Sequence, residues 1–192
     1  MKTFRTILAL AIFACSTWAF SACNDDNEPD FPDNPQISGK VKVTQNGVIT
    51  NEFSVNVVYL YYEKPDGLNI LICADKDMEV KSGMQKPPVG LWLALDVPKM
   101  IVDKTVSKVS DLPDGESDYW FGVCSNDLSP KKWLYKKNFK SFNMSSRWSE
   151  RTNKIQISLQ ITTKDSKPNQ IEVELEGNYG KMNHRIVDWA SW

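Results

Sequence analysis

Histidine is nearly missing from this chain: 192 residues contain one, His184. A histidine-rich zinc site is therefore excluded. A Ser-His-Asp triad or a Cys–His pair would have to be built on that one side chain near the C-terminus. The sequence has no G-x-S-x-G elbow. It also lacks a phosphate-cradling glycine-rich loop and a dinucleotide fingerprint. Paired carboxylates for glycoside hydrolysis are available among 24 acidic residues, but no spacing singles out a pair. No catalytic residue and no cofactor are therefore assigned.

Alanine is scarce too. After Cys23 only Ala74, Ala94 and Ala190 occur. Helices lean on alanine and unbranched side chains, strands on Val, Ile, Thr and aromatics, so the shortage points to an all-β chain. Charge of one sign is also lacking, with 23 Lys and Arg against 24 Asp and Glu. That balance gives no reason to expect a nucleic-acid partner. Cysteine is sparse: beyond the N-terminal region only Cys73 and Cys124 remain, both in strand-like runs. They are candidates for a disulfide, given an oxidising compartment, or for buried thiols.

Strand signals run along most of the chain. Ile37 to Thr44 alternates Ile37, Val41 and Val43 with Lys40, Lys42 and Thr44, and Asn46-Gly47 follows as a hairpin signal. Phe53 to Tyr62 becomes apolar on both faces, as expected of a strand covered on both sides or crossing between sheets. Lys64-Pro65-Asp66-Gly67 reads as a turn, and Leu68 to Ala74 as the returning strand. Asp75 to Pro88 reads as a long charged loop. Leu91 to Val97 is a strand, Met100 to Val109 a strand pair or one irregular strand, and Tyr119 to Cys124 an aromatic strand. The stretch from Lys131 to Trp148 is ambiguous. Lys154 to Thr162 and Gln170 to Glu176 alternate cleanly across a loop at 164–169. This spacing of strands and turns predicts an antiparallel β-sandwich, with a lipocalin-like β-barrel as the alternative.

Two segments carry chemistry to weigh. Asp75-Lys-Asp77-Met-Glu79 places oxygens at alternate positions, as a calcium loop begins. It lacks the glycine at the sixth place and the acid at the twelfth, so a solvated loop is expected and no metal is assigned. Lys131 to Phe142 interleaves bases with aromatics, and Arg147-Trp148 follows. On an exported protein this chemistry suits sugars, since aromatic faces cover sugar rings. Trp133, Tyr135 and Trp148 are the candidate ligand-binding residues. Core aromatics with solvated lysine heads would give the same pattern. The closing Val187-Asp-Trp-Ala-Ser-Trp192 is either a last strand or an exposed contact.

The N-terminus gives the address. Lys2 and Arg5 precede an apolar run, Ile7 to Phe13, extended to Phe20. A core this short fits a secretory signal peptide better than a membrane span of ~20 residues. Phe20-Ser21-Ala22-Cys23 resembles the lipobox of bacterial lipoproteins, with Phe20 in the usual leucine slot. The resemblance implies cleavage after residue 22 and acylation of Cys23. Several acyl chains on one residue would hold the protein at a membrane, since each buried CH₂ contributes ~0.8 kcal/mol. Residues 24–35 hold five carboxylates, three prolines and a single phenylalanine, a composition that predicts a disordered tether over 23–35. An acidic run in that place resembles the surface-export signal of lipoproteins in some Gram-negative gut bacteria. It implies the outer membrane with the domain facing outward, a periplasm-facing domain being the alternative. Loss of Lys2 and Arg5 would leave 21 basic against 24 acidic residues.

Residues 36–192 then form one β-sandwich domain. The plan resembles the small β-sandwich lipoproteins of Gram-negative gut bacteria. The plan does not supply an activity, and two readings stand: a membrane-held, non-catalytic accessory or structural module acting through contacts with an envelope protein, or a carbohydrate-binding module that takes a polysaccharide.

Overall fold

Strict alternation dictates the best-formed part of the structure. In Lys154–Thr163 the side chains of Ile155, Ile157, Leu159 and Ile161 are buried while Lys154, Gln156 and Gln160 are exposed. Asn169–Asn178 repeats the pattern with Ile171, Val173 and Leu175 inward. The two strands pair antiparallel over their whole length. Each covers its apolar face against a second layer, as a period of two requires.

The computed structural model describes residues 29–33, 35–63, 67–81, 84, 86, 88–114, 121–125, 128 and 133–183. The expected signal peptide, Cys23, residues 64–66 of the predicted turn, Tyr119, Trp120, His184 and the terminal tryptophans lie outside that set. Among the described residues twelve strands are formed: β1 Ile37–Gln45, β2 Val48–Ser54, β3 Val57–Glu63, β4 Gly67–Cys73, β5 Trp92–Pro98, β6 Thr105–Val106, β7 Gly122–Ser125, β8 Leu134–Tyr135, β9 Phe139–Ser149, β10 Lys154–Thr163, β11 Asn169–Asn178 and β12 Gly180–Met182. No α-helix occurs among the described residues. Sheet I runs β2-β1-β11-β10-β9-β6 and sheet II runs β12-β3-β4-β5-β7-β8. Each sheet keeps its own edges, so the fold is the expected sandwich and not the barrel.

Local chemistry explains the corners. Asn46 and Gly47 both take positive φ, 52° and 79°, and close the β1–β2 hairpin. The apolar run from Phe53 to Tyr62 is two strands, not one. At Val55–Asn56 the chain leaves sheet I for sheet II: Val55 N–H donates to Gly39 O (2.9 Å) and Asn56 N–H to Cys73 O (3.1 Å). The region from Met100 to Val109 is neither a strand pair nor one strand. It is a 3-10 turn at Lys99–Ile101, the two-residue β6, and a second 3-10 turn beginning at Val109.

The main core lies between the sheets, with Leu60, Ile70, Leu93, Leu159, Val173 and Phe121 among its fully enclosed members. Sheet II is also covered on its outer side. There Val57, Tyr59, Leu71, Trp92 and Ala94 pack beneath Met78, Val80, Met84 and Phe31. The charged loop after β4 thus supplies apolar cover, and β4 is buried at every position.

The tether expected over 23–35 is built into the fold at its far end. Asp30 and Lys181 exchange backbone hydrogen bonds of 2.7 Å in both directions, capping the β12 edge. Phe31 meets Tyr59 edge-on at 5.7 Å and fills the space that a side chain at Gly180 would need, 2.5 Å away. One phenylalanine seated in a glycine notch orders a stretch whose composition predicts none.

Candidate functional site

With sheet II covered on both sides, the open broad face of the described molecule is the outer side of sheet I. Its residues are fixed by register. Arg147, Gln156, Glu176 and Ser38 stand in one row across β9, β10, β11 and β1. The next rows are Ser145, Ser158, Glu174, Lys40 and then Asn143, Gln160, Glu172, Lys42. Every one of these side chains is polar. On the β9–β10 half they are mainly hydroxyls and amides; β11 brings three acids and β1 two lysines.

Those lysines balance part of the acid. Lys42 lies 3.9 Å from Glu172, and Lys40 pairs with Glu52 on β2. The bond from Lys40 holds the Glu52 carboxyl below its usual range. Ser158 Oγ donates to Glu174 at 2.6 Å. Exposed pairs of this kind are screened by water and add little to stability, so the face is not needed to hold the fold together.

Two grooves cross this face. One, of about 540 Å³, lies between the Arg147–Gln156–Glu176–Ser38 row and the next row outward, which includes Lys154, Asn178 and Gln36. Its rim is tied down: Asn178 Oδ1 accepts Gln36 N–H at 3.2 Å, and Asn178 Nδ2 donates to Thr152 O and Asn153 O, both at 3.4 Å. The other groove, about 520 Å³, is walled by Ser141, Asn143, Gln160, Thr162, Gln170 and Glu172. Between them a hollow of about 170 Å³ is lined by Ser145, Ser158 and Gln156. Together they offer a line of hydrogen-bonding groups, with Ile37, Trp148 and Ile155 also lining the first groove.

The three predicted ligand aromatics do not converge. Trp133 and Tyr135 lie on sheet II at the edge strand β8, stacked at 6.3 Å with planes 17° apart. Their rings rest on Gly122, where an added Cβ would meet Trp133 at 2.9 Å and Tyr135 at 3.0 Å. Burial pushes the Tyr135 phenol above its ordinary value. Trp148 belongs to sheet I and packs against the main core. Its indole N–H donates to Tyr179 Oη at 2.8 Å, and its backbone N–H to Asp103 Oδ1 at 2.7 Å. It is half-buried and is one of the residues lining the first groove. The lysine–aromatic interleaving upstream follows from strand alternation, with Phe139 and Phe142 in the core beside Phe121 and Lys140 in solvent. Lys136 folds back onto Leu112 O and Asp114.

Cys73 and Cys124, the candidate disulfide pair, are both free thiols. They stand on β4 and β7 with β5 between them. Two strand spacings of ~4.8 Å already exceed the ~4.4–6.8 Å between Cα atoms that a bridge allows. Burial pushes both thiols up, Cys124 to about 12 and Cys73 further. Such thiols pack as small apolar groups rather than act as nucleophiles. In the calcium-like stretch, Asp77 N–H donates to Asp75 Oδ1 at 2.9 Å, while Met78 turns into the cover of sheet II. No group of three potential metal-ligating acid, His or Cys side chains occurs among the described residues.

The residues that sequence reasoning missed are Arg147, Gln156, Gln160, Glu176 and their neighbours. Their signal was the polar half of the alternation in 141–149 and 154–163. Only the order of strands in the sheet reveals that these halves adjoin. No family model, curated protein or solved structure matches the chain.

Proposed function

We propose that this protein is a non-catalytic polysaccharide-binding module, held at the outer membrane by a lipid on Cys23 and displayed outward. The observation that carries the reading is the outer face of sheet I. It is open, polar and crossed by two grooves of about 540 and 520 Å³. Ligand sites combine a concavity with a few placed polar groups. Hydroxyl-rich polymers can use hydroxyl, amide and carboxylate partners along the full width of four strands.

An accessory role through protein contacts is the competing reading. Protein interfaces center on apolar cores with aromatic anchors. Among the described residues, the exposed large apolar side chains are Val48, Ile49, Val89, Leu91 and Met100. They are divided between the β1–β2 hairpin, the loop before β5 and the turn after it, and form no single patch of that kind. The polar face therefore favours the glycan reading.

A glycan array probed with the full chain tests the proposal, alongside a Gln156→Ala/Gln160→Ala variant that trims both grooves at their center. The expected result is binding by the wild type and at least tenfold weaker binding by the variant at an unchanged melting temperature. Wild-type chain that binds no glycan, or a variant that binds equally well, would sink it.

A further inference from the structure

The first groove is not electrically uniform. Of the cations on this face, Lys40 and Lys42 are ion-paired, whereas Arg147 and Lys154 have no carboxylate within 4.0 Å among the described residues. Lys154 stands opposite Ser149, two residues along β9 from Arg147. Diagonal neighbours of that kind are ~7–8 Å apart at Cα, within reach of two long side chains converging on one anion. Arg147 presents a planar fork matched to a carboxylate, and Lys154 adds a point charge.

Across the groove the chemistry reverses. Gln156 is opposite Arg147 on one side and Glu176 on the other. Two strand spacings separate the backbones of Arg147 and Glu176 by ~10 Å, and the two side chains form no ion pair, which leaves the width of a sugar unit between their strands. A carboxylate is acceptor-only and takes hydrogen bonds from hydroxyls, while an amide both donates and accepts. Cation, amide and carboxylate thus lie in that order across one groove.

We infer that this groove binds a uronic-acid polymer, with the sugar carboxylate on Arg147 and Lys154 and ring hydroxyls on Gln156 and Glu176. The inference rests on the glycan reading above and narrows it to an anionic class. A neutral glycan would leave both cations idle. A phosphate or sulfate ester would use them equally well but would not need the facing carboxylate.

Titration calorimetry with the full chain decides the matter. The probes are polygalacturonate, alginate and hyaluronate, each beside its carboxyl-reduced form, with Arg147→Gln and Lys154→Gln as variants. At least one acidic polymer is expected to bind about tenfold or more tighter than its reduced form. Each substitution should erase most of that difference, since each removes a charge-assisted hydrogen bond to the sugar carboxylate. Equal binding of acidic and reduced forms, or variants that keep the preference, would overturn the inference and leave the glycan reading standing. So would neutral glycans binding on the array with no uronate polymer bound. No binding to any polysaccharide would overturn both.

Discussion

Replacing Trp148 with phenylalanine separates a structural tryptophan from a sugar platform. The indole N–H lies 2.8 Å from Tyr179 Oη, and Tyr179 is fully buried at the corner where the chain passes from sheet I to sheet II. The remaining contact of that phenol, donation to Ser149 O, is long at 3.5 Å. Phenylalanine keeps an aromatic ring but removes the donor, leaving a buried hydroxyl oxygen unsatisfied. A lost hydrogen bond with its desolvation penalty costs roughly 2 kcal/mol. For a domain of this size that is roughly 4–8 °C in melting temperature. Circular dichroism on heating reads the shift. The Tyr179 phenol already sits at about 12, raised by burial and partly relieved by the indole bond, so its alkaline titration should move higher still. Glycan affinity should change little. An unchanged melting temperature together with weakened glycan binding would refute the reasoning and return Trp148 to the ligand.

Three further outcomes follow from the same structure. Tyr59, Tyr179 and Cys124 all have folded-state values raised to about 12, chiefly by burial. The unfolded chain therefore ionises first, so stability should be intact below about pH 9 and fall progressively toward pH 12; a urea midpoint that stays flat from pH 9 to 11 would contradict this. Gly180→Ala should push Phe31 out of its notch and make the segment before β1 several-fold more sensitive to protease, with little change in global melting; unaltered cleavage would mean that Phe31 is not seated there. Cys73 and Cys124 should resist iodoacetamide until the protein is denatured and then both react, as peptide mass spectrometry can show; a disulfide-linked peptide pair would contradict the register.

What the sequence makes legible is local. The β10–β11 hairpin and the Asn46-Gly47 turn are read directly because alternation and a turn dipeptide act over a few residues. The run from Phe53 to Tyr62 misleads because the same apolar residues serve two strands in two sheets, and only long-range hydrogen bonds from Val55 and Asn56 mark the crossing. Phe31 misleads in the opposite sense: its neighbours look unstructured, and the notch that orders it is at Gly180, far along the chain. The candidate site was hidden for a similar reason. Arg147, Gln156 and Glu176 share a row through the β9–β10 and β10–β11 pairings, and Ser38 joins it only because β1 lies beside β11. Lysines interleaved with aromatics point to Trp133, Tyr135 and Trp148, but the first two stack on each other over Gly122 and the third bonds Tyr179 in the other sheet's direction, so they do not converge.

We propose the outer face of sheet I as the binding surface. Amide chemical-shift mapping of the full chain, titrated with the polysaccharide that binds it most tightly, tests that claim directly. The predicted result is perturbation concentrated on β9, β10, β11 and β1 around Arg147, Gln156, Gln160 and Glu176, with sheet II unaffected. Perturbation centered on Trp133 and Tyr135 or on the Val48–Ile49 hairpin would contradict it, as would no response to any polysaccharide.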